Sequence, residues 1–196
     1  MLFKQTVFHG YRGTTREWGT KAKEREFWYS CGDDEYFGRG IYFFENDLRE
    51  AHFFAKVVRE IPIDNICVIY ALIKLEAEFV LDLFDRDTFN KYVQLVDEFR
   101  DSCIKHGIVV KDIDCHLFSH ICDQEGYQLV KGPYNPSHAK GDPLISAGYT
   151  RVRKTHIQLC VRDDKIIKAV NVYDGKELNR HLGGRPRWQI ANFLSR

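Results

Sequence analysis

The chain has 196 residues, of which 44% are hydrophobic and 29% are charged, and its formal net charge is +1. This composition is typical of one globular domain with a substantial core and excludes a disordered chain, and the near-zero charge argues against electrostatic attraction of the whole molecule to nucleic acid. Because no uninterrupted apolar run approaches the roughly 20 residues that cross a bilayer, and because the first residues lack the apolar core of a secretory signal, we expect a cytoplasmic protein with no membrane partner.

The first two apolar runs of the chain each lie next to a segment that contains two glycines. Residues 3–9 are predicted to form a strand that ends at His-Gly-Tyr-Arg-Gly, and residues 10–38 to form a loop or short helices. Residues 40–44 are predicted to form a second strand, entered through Gly-Arg-Gly-Ile-Tyr-Phe. Glycine beside an aromatic ring lets a ligand approach the backbone closely. Each segment alone also fits an ordinary strand with turn glycines.

Helix and strand patterns alternate in the central part of the chain. Asp47 is a suitable N-cap for a helix that runs to Glu60. Residues 67–75 and 78–83 have strand composition, and their closeness in the chain predicts that they are neighbours in one sheet. Apolar residues recur at helical spacing over residues 85–106, which predicts a packed helix.

Cysteine and histidine residues suggest no metal site. The six cysteines are spread singly, which favours buried reduced thiols over disulfides: Cys31, Cys67, Cys103, Cys115, Cys122 and Cys160. Cys115, His116, His120 and Cys122 are potential zinc ligands in one short stretch. Zinc sites usually draw ligand pairs from separate segments, so we predict no metal here and a partly buried helix or strand with incidental histidines.

Two predicted strands, over residues 155–162 and 166–172, follow a basic cluster. The cluster is either a solvated surface or a contact for nucleic-acid phosphates, and it comprises Arg151, Arg153, Lys154 and His156. We assign residues 1–175 to the domain. Residues 176–196 form a basic appendage, which is an added helix, a partner-binding arm or a poorly ordered tail.

The two glycine segments together resemble the NAD-binding signature of the ADP-ribosyltransferase superfamily, in its diphtheria-toxin and poly(ADP-ribose) polymerase branch. The resemblance implies an α+β fold in which two packed, mainly antiparallel sheets surround an NAD cleft, with helices outside. It implies that His9 binds the adenosine ribose, that the Gly10 backbone pairs with the nicotinamide amide, and that Tyr42 stacks on the nicotinamide ring. No Gly-x-Gly-x-x-Gly opens a helix after a strand, which argues against a Rossmann dehydrogenase.

Further NAD contacts follow from the same resemblance. Gly38 and Gly40 belong to the second segment of the signature. Phe53 or Phe54 stands near the place of a second aromatic residue that closes the other face of the nicotinamide. Two positions of the first segment are also predicted to lie at NAD: Arg12, as a pyrophosphate or structural contact, and Tyr11, where the polymerases have a small hydroxyl residue.

The third residue of the signature is glutamate in the family, and this sequence has Gln158 at the corresponding place. Glutamine can bind the nicotinamide-ribose hydroxyl, but it lacks the charge that favours an oxocarbenium-like centre. Three explanations are open: Gln158 is native and sufficient, it replaces a glutamate in a toxic enzyme so that the protein could be produced, or the chain is an inactive transferase that only binds NAD.

The resemblance implies a mono-ADP-ribosyltransferase that uses NAD as co-substrate and modifies a protein, RNA or DNA acceptor. A toxin, toxin–antitoxin or antiviral defence enzyme fits this size, with an antitoxin or regulatory protein as partner. The loop of residues 131–155 is predicted to select the acceptor. Two alternatives are an inactive module that binds NAD or ADP-ribose, and a related enzyme that removes an RNA 2′-phosphate, for which more motif arginines would be expected.

Overall fold

Strands and helices both build the fold, which confirms the predicted α+β class. The computed structural model describes residues 4–30, 36–107, 113–134 and 156–182. The strands are β1 (Gln5–Thr15), β2 (Ile41–Glu45), β3 (Ile66–Glu76), β4 (Val80–Asp82), β5 (Leu129–Tyr134), β6 (His156–Val161) and β7 (Ile167–Asp174). The α-helices are α1 (Arg16–Lys23), α2 (Leu48–Phe53), α3 (Arg86–Lys105), α4 (Ile113–Glu125) and α5 (Gly175–Leu182).

The strands form one mixed sheet in the order β4-β5-β6-β2-β1-β3-β7. Only β4 and β5 pair in parallel, and the other neighbours are antiparallel. The expected division into two sheets is therefore not confirmed, because within the described ranges all strands belong to a single hydrogen-bonded sheet.

The junction between β1 and β2 is the shortest pairing among the antiparallel neighbours. It consists of Gly10 opposite Glu45 and Tyr11 opposite Phe44. By contrast, β1 pairs with β3 along its whole length. The sheet thus has a four-stranded part (β4, β5, β6, β2) and a three-stranded part (β1, β3, β7) joined over two residue positions.

The two faces of the sheet contact different helices. Ile41 and Phe43 of β2 share a core cluster with Ala22 of α1, and we call this side the α1 face. Tyr42 and Phe44 alternate with them and point to the opposite side, the α2 face. Helices α3 and α4 cover the α2 face over the four-stranded part. Helices α2 and α5 cover it over β1 and β3.

Aspartate caps define the starts of α2 and α3, and the cap at Asp47 confirms the prediction made for that residue. Asp47 accepts a hydrogen bond from the Glu50 N–H at 3.0 Å, and Asp85 accepts one from the Thr88 N–H at 2.9 Å. Helix α2 ends at Phe53 and continues as a π-helical turn to Val58, close to the predicted end. Helix α3 matches the predicted helix.

The first strand is longer than predicted. The loop or short helix expected from residue 10 is wrong over residues 10–15, because β1 continues to Thr15, whereas the short helix α1 that follows agrees with the prediction. Gly10 and Gly13 interrupt the apolar pattern, and for this reason the predicted strand ended too early. Packing nevertheless requires glycine at position 13 inside the strand. A Cβ at Gly13 would lie 1.9 Å from the Ala51 carbonyl oxygen of α2.

The prediction that residues 67–75 and 78–83 form neighbouring strands is also wrong. They belong to β3 and β4, which lie in different parts of the sheet. Four strands separate them: β5, β6, β2 and β1. A helical turn at Ala77–Phe79 separates the two strands, and β4 pairs with β5 instead. Pairing between strands distant in sequence is not encoded in the local pattern that made the prediction.

The last two strands confirm the prediction, since β6 and β7 match the expected segments. Helix α5 covers the start of the predicted basic appendage, and its Leu178 is buried in the core. Of the predicted acceptor loop, residues 131–134 belong to β5, and the rest lies outside the described residues, as does most of the basic cluster.

The five described cysteines are free thiols. Cys67, Cys122 and Cys160 are buried, whereas Cys103 and Cys115 are partly exposed. Cys31 lies outside the described residues.

Candidate functional site

Strand register places residues from three distant segments on the α2 face. Gln158 of β6 lies opposite Phe44 of β2, and Phe44 lies opposite Tyr11 of β1. Tyr42 and His9 are two residues away from Phe44 and Tyr11 along their strands, so they share the same face. The structure therefore brings His9, Tyr42 and Gln158 onto one face of three neighbouring strands.

Strand geometry also sets the separations of these residues. Tyr42 and Gln158 are diagonal neighbours, for which the Cα atoms are about 7–8 Å apart. His9 and Tyr42 lie on opposite sides of the row formed by Phe44 and Tyr11, with Cα atoms about 14 Å apart in a regular sheet. One small ring does not span that distance, so the two side chains would contact different ends of an extended ligand.

His9 is exposed and its ring is held by Tyr70 of β3. The Tyr70 hydroxyl lies 2.9 Å from His9 Nδ1, and the two rings stack with centroids 5.9 Å apart. Burial raises the pKa of Tyr70, so the hydroxyl remains protonated and can donate to Nδ1. In the neutral imidazole the ring proton then lies on Nε2, which can donate to a ligand.

Two further tyrosines, Tyr11 and Tyr173, lie close to Tyr70, the residue that contacts His9. Tyr11 contacts Tyr70 with ring centroids 5.4 Å apart. Burial, and to a smaller extent Tyr173 and Tyr70, raise the pKa of Tyr11 to about 12. Burial likewise raises the pKa of Tyr173. These phenols therefore stay neutral at physiological pH, and among the three tyrosines it is the Tyr70 hydroxyl that contacts His9.

Tyr42 is buried and its phenol is used by the protein backbone. The hydroxyl donates to the Gly38 carbonyl oxygen and accepts from the Phe37 N–H at 3.2 Å. Its ring lies in the apolar cluster under α4 with Phe118. The visible role of Tyr42 is thus to hold the segment before β2 against the sheet.

The signature glycines also have packing roles. A Cβ at Gly10 would lie 2.8 Å from the Phe43 Cβ, and a Cβ at Gly40 would lie 2.3 Å from the Cys160 sulfur. Gly38 has a φ of +77°, a conformation that favours glycine. Strand packing and a backbone turn therefore explain glycine at all three positions without a ligand.

Arg12 lies on the α1 face, away from His9. Its Nη1 donates to the Trp28 carbonyl oxygen at 3.3 Å, which is a structural contact of the kind predicted as one option. Arg12 also lines a small pocket at the β1–β2 junction, together with Thr14, Trp18, Glu26, Trp28 and Phe43.

The two candidate aromatic residues after β2 have different surroundings. Phe53 is half exposed, at 49% of its surface. Phe54 packs edge-on against Phe44 at 5.7 Å and against Tyr134 at 6.3 Å. Phe54 therefore belongs to the aromatic group beside Gln158, and Phe53 faces solvent.

Gln158 is buried between Phe44 and Gly132 in the sheet. Two residues earlier, His156 packs on the same face, with its ring 6.0 Å from Phe44. Its Nδ1 lies 3.3 Å from Asp47 and its Nε2 lies 3.2 Å from Glu50. An imidazole and two carboxylates thus meet next to the predicted site.

Sequence reasoning missed Tyr70, Glu50 and the carboxylate contacts of His156. Tyr70 stands in an apolar run that predicts a strand, and nothing local shows that it faces His9. His156 carries a signal, because strand alternation places it on the same face as Gln158. The described groups can hydrogen-bond and stack on a planar polar ligand.

The cysteines and histidines considered as zinc ligands lie on α4. Cys122 is buried, whereas His116 and His120 are exposed. Within the described part of the chain, no group of three or more histidine, cysteine, aspartate or glutamate residues has an arrangement that could hold a metal ion.

Comparison of the chain with protein-family models, with curated proteins and with solved structures finds no match. Among the helices of the described residues, none has the length and apolar character that a bilayer crossing requires.

Proposed function

We propose that the protein binds NAD on the α2 face and transfers a single ADP-ribose to a macromolecular acceptor. The observation that carries the proposal is that His9, Tyr42 and Gln158 come from distant segments and share one face of β1, β2 and β6. Their order along the chain and their spacing are those that the family resemblance requires.

The short β1–β2 junction supports the finer proposal about the fold. In an ADP-ribosyltransferase the sheet is divided around a cleft, and here the two parts share only two paired positions. NAD would lie along this junction on the α2 face. The catalytic unit would comprise residues 1–175.

The exposed His9 imidazole and the Tyr70 hydroxyl that contacts it fit the ribose end of NAD, since both present hydrogen-bonding groups to a polar ligand. His9 would contact the adenosine ribose through Nε2, about 14 Å from the Tyr42 end of the site. Gln158 would hydrogen-bond the nicotinamide-ribose hydroxyl, and Phe54 would close the nicotinamide side of the cleft.

The reaction would break the bond between ribose C1′ and the nicotinamide nitrogen, whose electron pair leaves with neutral nicotinamide. An acceptor oxygen or nitrogen would form a bond to C1′ and release its proton to solvent. Gln158 is neutral and therefore cannot stabilise the positive charge that develops on the ribose as nicotinamide leaves. Much of the rate would instead come from the positioning of NAD and the acceptor.

An NAD-binding module without catalysis is the second candidate. It is favoured by the neutral Gln158 and by the Tyr42 phenol, which the segment before β2 already engages. The two candidates predict the same ligand and differ only in turnover.

Incubation with NAD labelled in its adenylate part tests the proposal. A transferase releases nicotinamide and leaves label on a macromolecule, and nuclease or protease treatment then shows whether the acceptor is nucleic acid or protein. A module that only binds gives heat on titration with NAD but no nicotinamide. Absence of binding at millimolar NAD contradicts both candidates.

Variants connect the labelling to the site. His9→Ala should abolish labelling while the melting temperature is retained, because His9 is exposed. Gln158→Glu should raise activity if a charge is missing, and should lower it if glutamine is the functional residue. An unaltered rate in His9→Ala would show that the reaction occurs elsewhere.

A further inference from the structure

His156 joins the strand that carries Gln158 to the helix that follows β2. Its two ring nitrogens lie 3.3 Å from an Asp47 oxygen and 3.2 Å from a Glu50 oxygen. His156 and Glu50 are each 6% exposed. A buried imidazole between two buried or partly buried carboxylates is costly to form unless these contacts are kept.

Asp47 uses its two oxygens for different elements. Oδ1 accepts from the Glu50 N–H at 3.0 Å and so caps α2, while Oδ2 contacts His156 of β6. The orientation of α2 is therefore tied to the start of β6. Helix α2 leads directly to Phe53 and Phe54.

The contacts also define what His156 can do chemically. Each ring nitrogen faces a carboxylate oxygen, Nδ1 that of Asp47 and Nε2 that of Glu50. An imidazole engaged at both nitrogens is not available to accept a proton from an acceptor group. A positioning role fits this geometry, and a general-base role does not.

We infer that His156 is a positioning residue that holds Gln158 in place relative to α2 and to Phe54, which follows α2. This inference rests on the proposed function. The contacts of His156 with Asp47 and Glu50 connect β6, on one side of the proposed cleft, to α2 on the other side. NAD affinity would depend mainly on the exposed His9, whereas the alignment of the ribose at Gln158 would depend on this link.

The test compares His156→Phe and Glu50→Gln with the wild-type protein. Phenylalanine keeps a planar ring of similar size but removes the imidazole from the buried Glu50 carboxylate, whereas Glu50→Gln keeps the shape of that side chain and removes its charge, so the second variant is the milder one. Asp123→Asn is the control, because it removes an ion pair with Arg162 on the exposed surface of α4. Nicotinamide release, the KM for NAD and the melting temperature are measured for all four proteins.

We expect kcat to fall at least about tenfold in His156→Phe and less in Glu50→Gln, with the KM for NAD within about threefold of wild type. Asp123→Asn should keep both constants. Unchanged kcat in His156→Phe overturns the inference, as does a loss of activity that follows the melting temperature alone. Absence of nicotinamide release from the wild-type protein overturns the proposed function and this role with it.

Discussion

The two halves of the α2 face are filled by different kinds of side chain. Under α3 and α4 the residues are mostly aliphatic or sulfur-containing and almost fully buried, as Leu117, Ile121 and Cys122 show. Around β1 and β3 the face carries His9, Tyr70 and further tyrosines whose polar atoms meet each other or solvent.

This difference shows how one sheet serves two purposes. Continuous helix cover over the four-stranded part produces a core in which polar groups would be costly. Beside the β1–β2 junction the cover is made by the short helix α2 and by α5, whose buried aliphatic residues pack with tyrosines of β1, β3 and β7. We therefore expect substitutions in the first region to change stability and those in the second to change ligand binding.

The largest expected effect is in the aliphatic half. Leu117→Ala removes a fully buried side chain of α4, and a cavity of this kind lowers the free energy of unfolding by about 2–5 kcal/mol. Chemical denaturation measures the change. If the two halves are independent, the folded variant should bind NAD as tightly as the wild type does. A loss of NAD affinity as large as the loss of stability would show that the halves are coupled.

A smaller and opposite effect is expected at Tyr70. Tyr70→Phe removes the hydroxyl that holds His9 Nδ1, a hydrogen bond worth about 0.5–1.5 kcal/mol, so NAD binding should weaken several-fold with little loss of stability. Calorimetric titration gives the affinity. Tyr173→Phe is the matched control, because Tyr173 belongs to the same cluster but the Tyr70 hydroxyl is the one at His9. Equal effects of both variants would argue against the His9 contact.

Lowering the pH should destabilise the α2 side of the face. His52 is buried in α2, its Nε2 has no hydrogen-bond partner among the residues that the structure describes, and burial lowers its pKa below the usual 6.5. The folded state therefore favours the neutral ring. Its stabilising contribution is complete above the unfolded pKa and is lost as the pH falls through the folded pKa. Unfolding measured from pH 7.5 downward should show this loss.

The corresponding His52→Gln variant should show a flatter stability profile over the same pH range. An identical slope in the variant and in the wild type would assign the pH dependence to other groups.

The smallest effect concerns thiol reactivity in the aliphatic half. Burial raises the pKa of Cys122 to about 12, whereas Cys103 of α3 is partly exposed. Because the thiolate is the reactive form, iodoacetamide at pH 8 should modify Cys103 well before Cys122. Mass spectrometry of the time course measures the order. Early modification of Cys122 would mean that α4 opens readily.

The sequence could predict features that depend on neighbouring residues. Asp47 and Asp85 cap helices because a side-chain oxygen reaches an N–H three residues on. The alternation of polar and apolar residues in β6 predicted the strand. Local chemistry decides such features, so no knowledge of distant contacts is needed.

Features that depend on distant contacts could not be predicted in this way. Gly10 and Gly13 looked like the end of a strand, because the reasons for glycine there are Phe43 and Ala51, which lie far along the chain. The separation of β3 from β4 depends on a partner for β4 that comes much later in the sequence. The contact of Tyr70 with His9 depends on register between strands.

The two-position pairing of β1 with β2 also has a mechanical consequence. Few backbone hydrogen bonds resist shear along this line, so bending of the sheet concentrates there. A ligand that contacts both β1 and β2 would restrict the motion of the four-stranded part relative to the three-stranded part. When NAD saturates the protein, the largest gain in protection from hydrogen exchange would then appear at the amides of Tyr11 and Phe44 rather than in the core under α3 and α4.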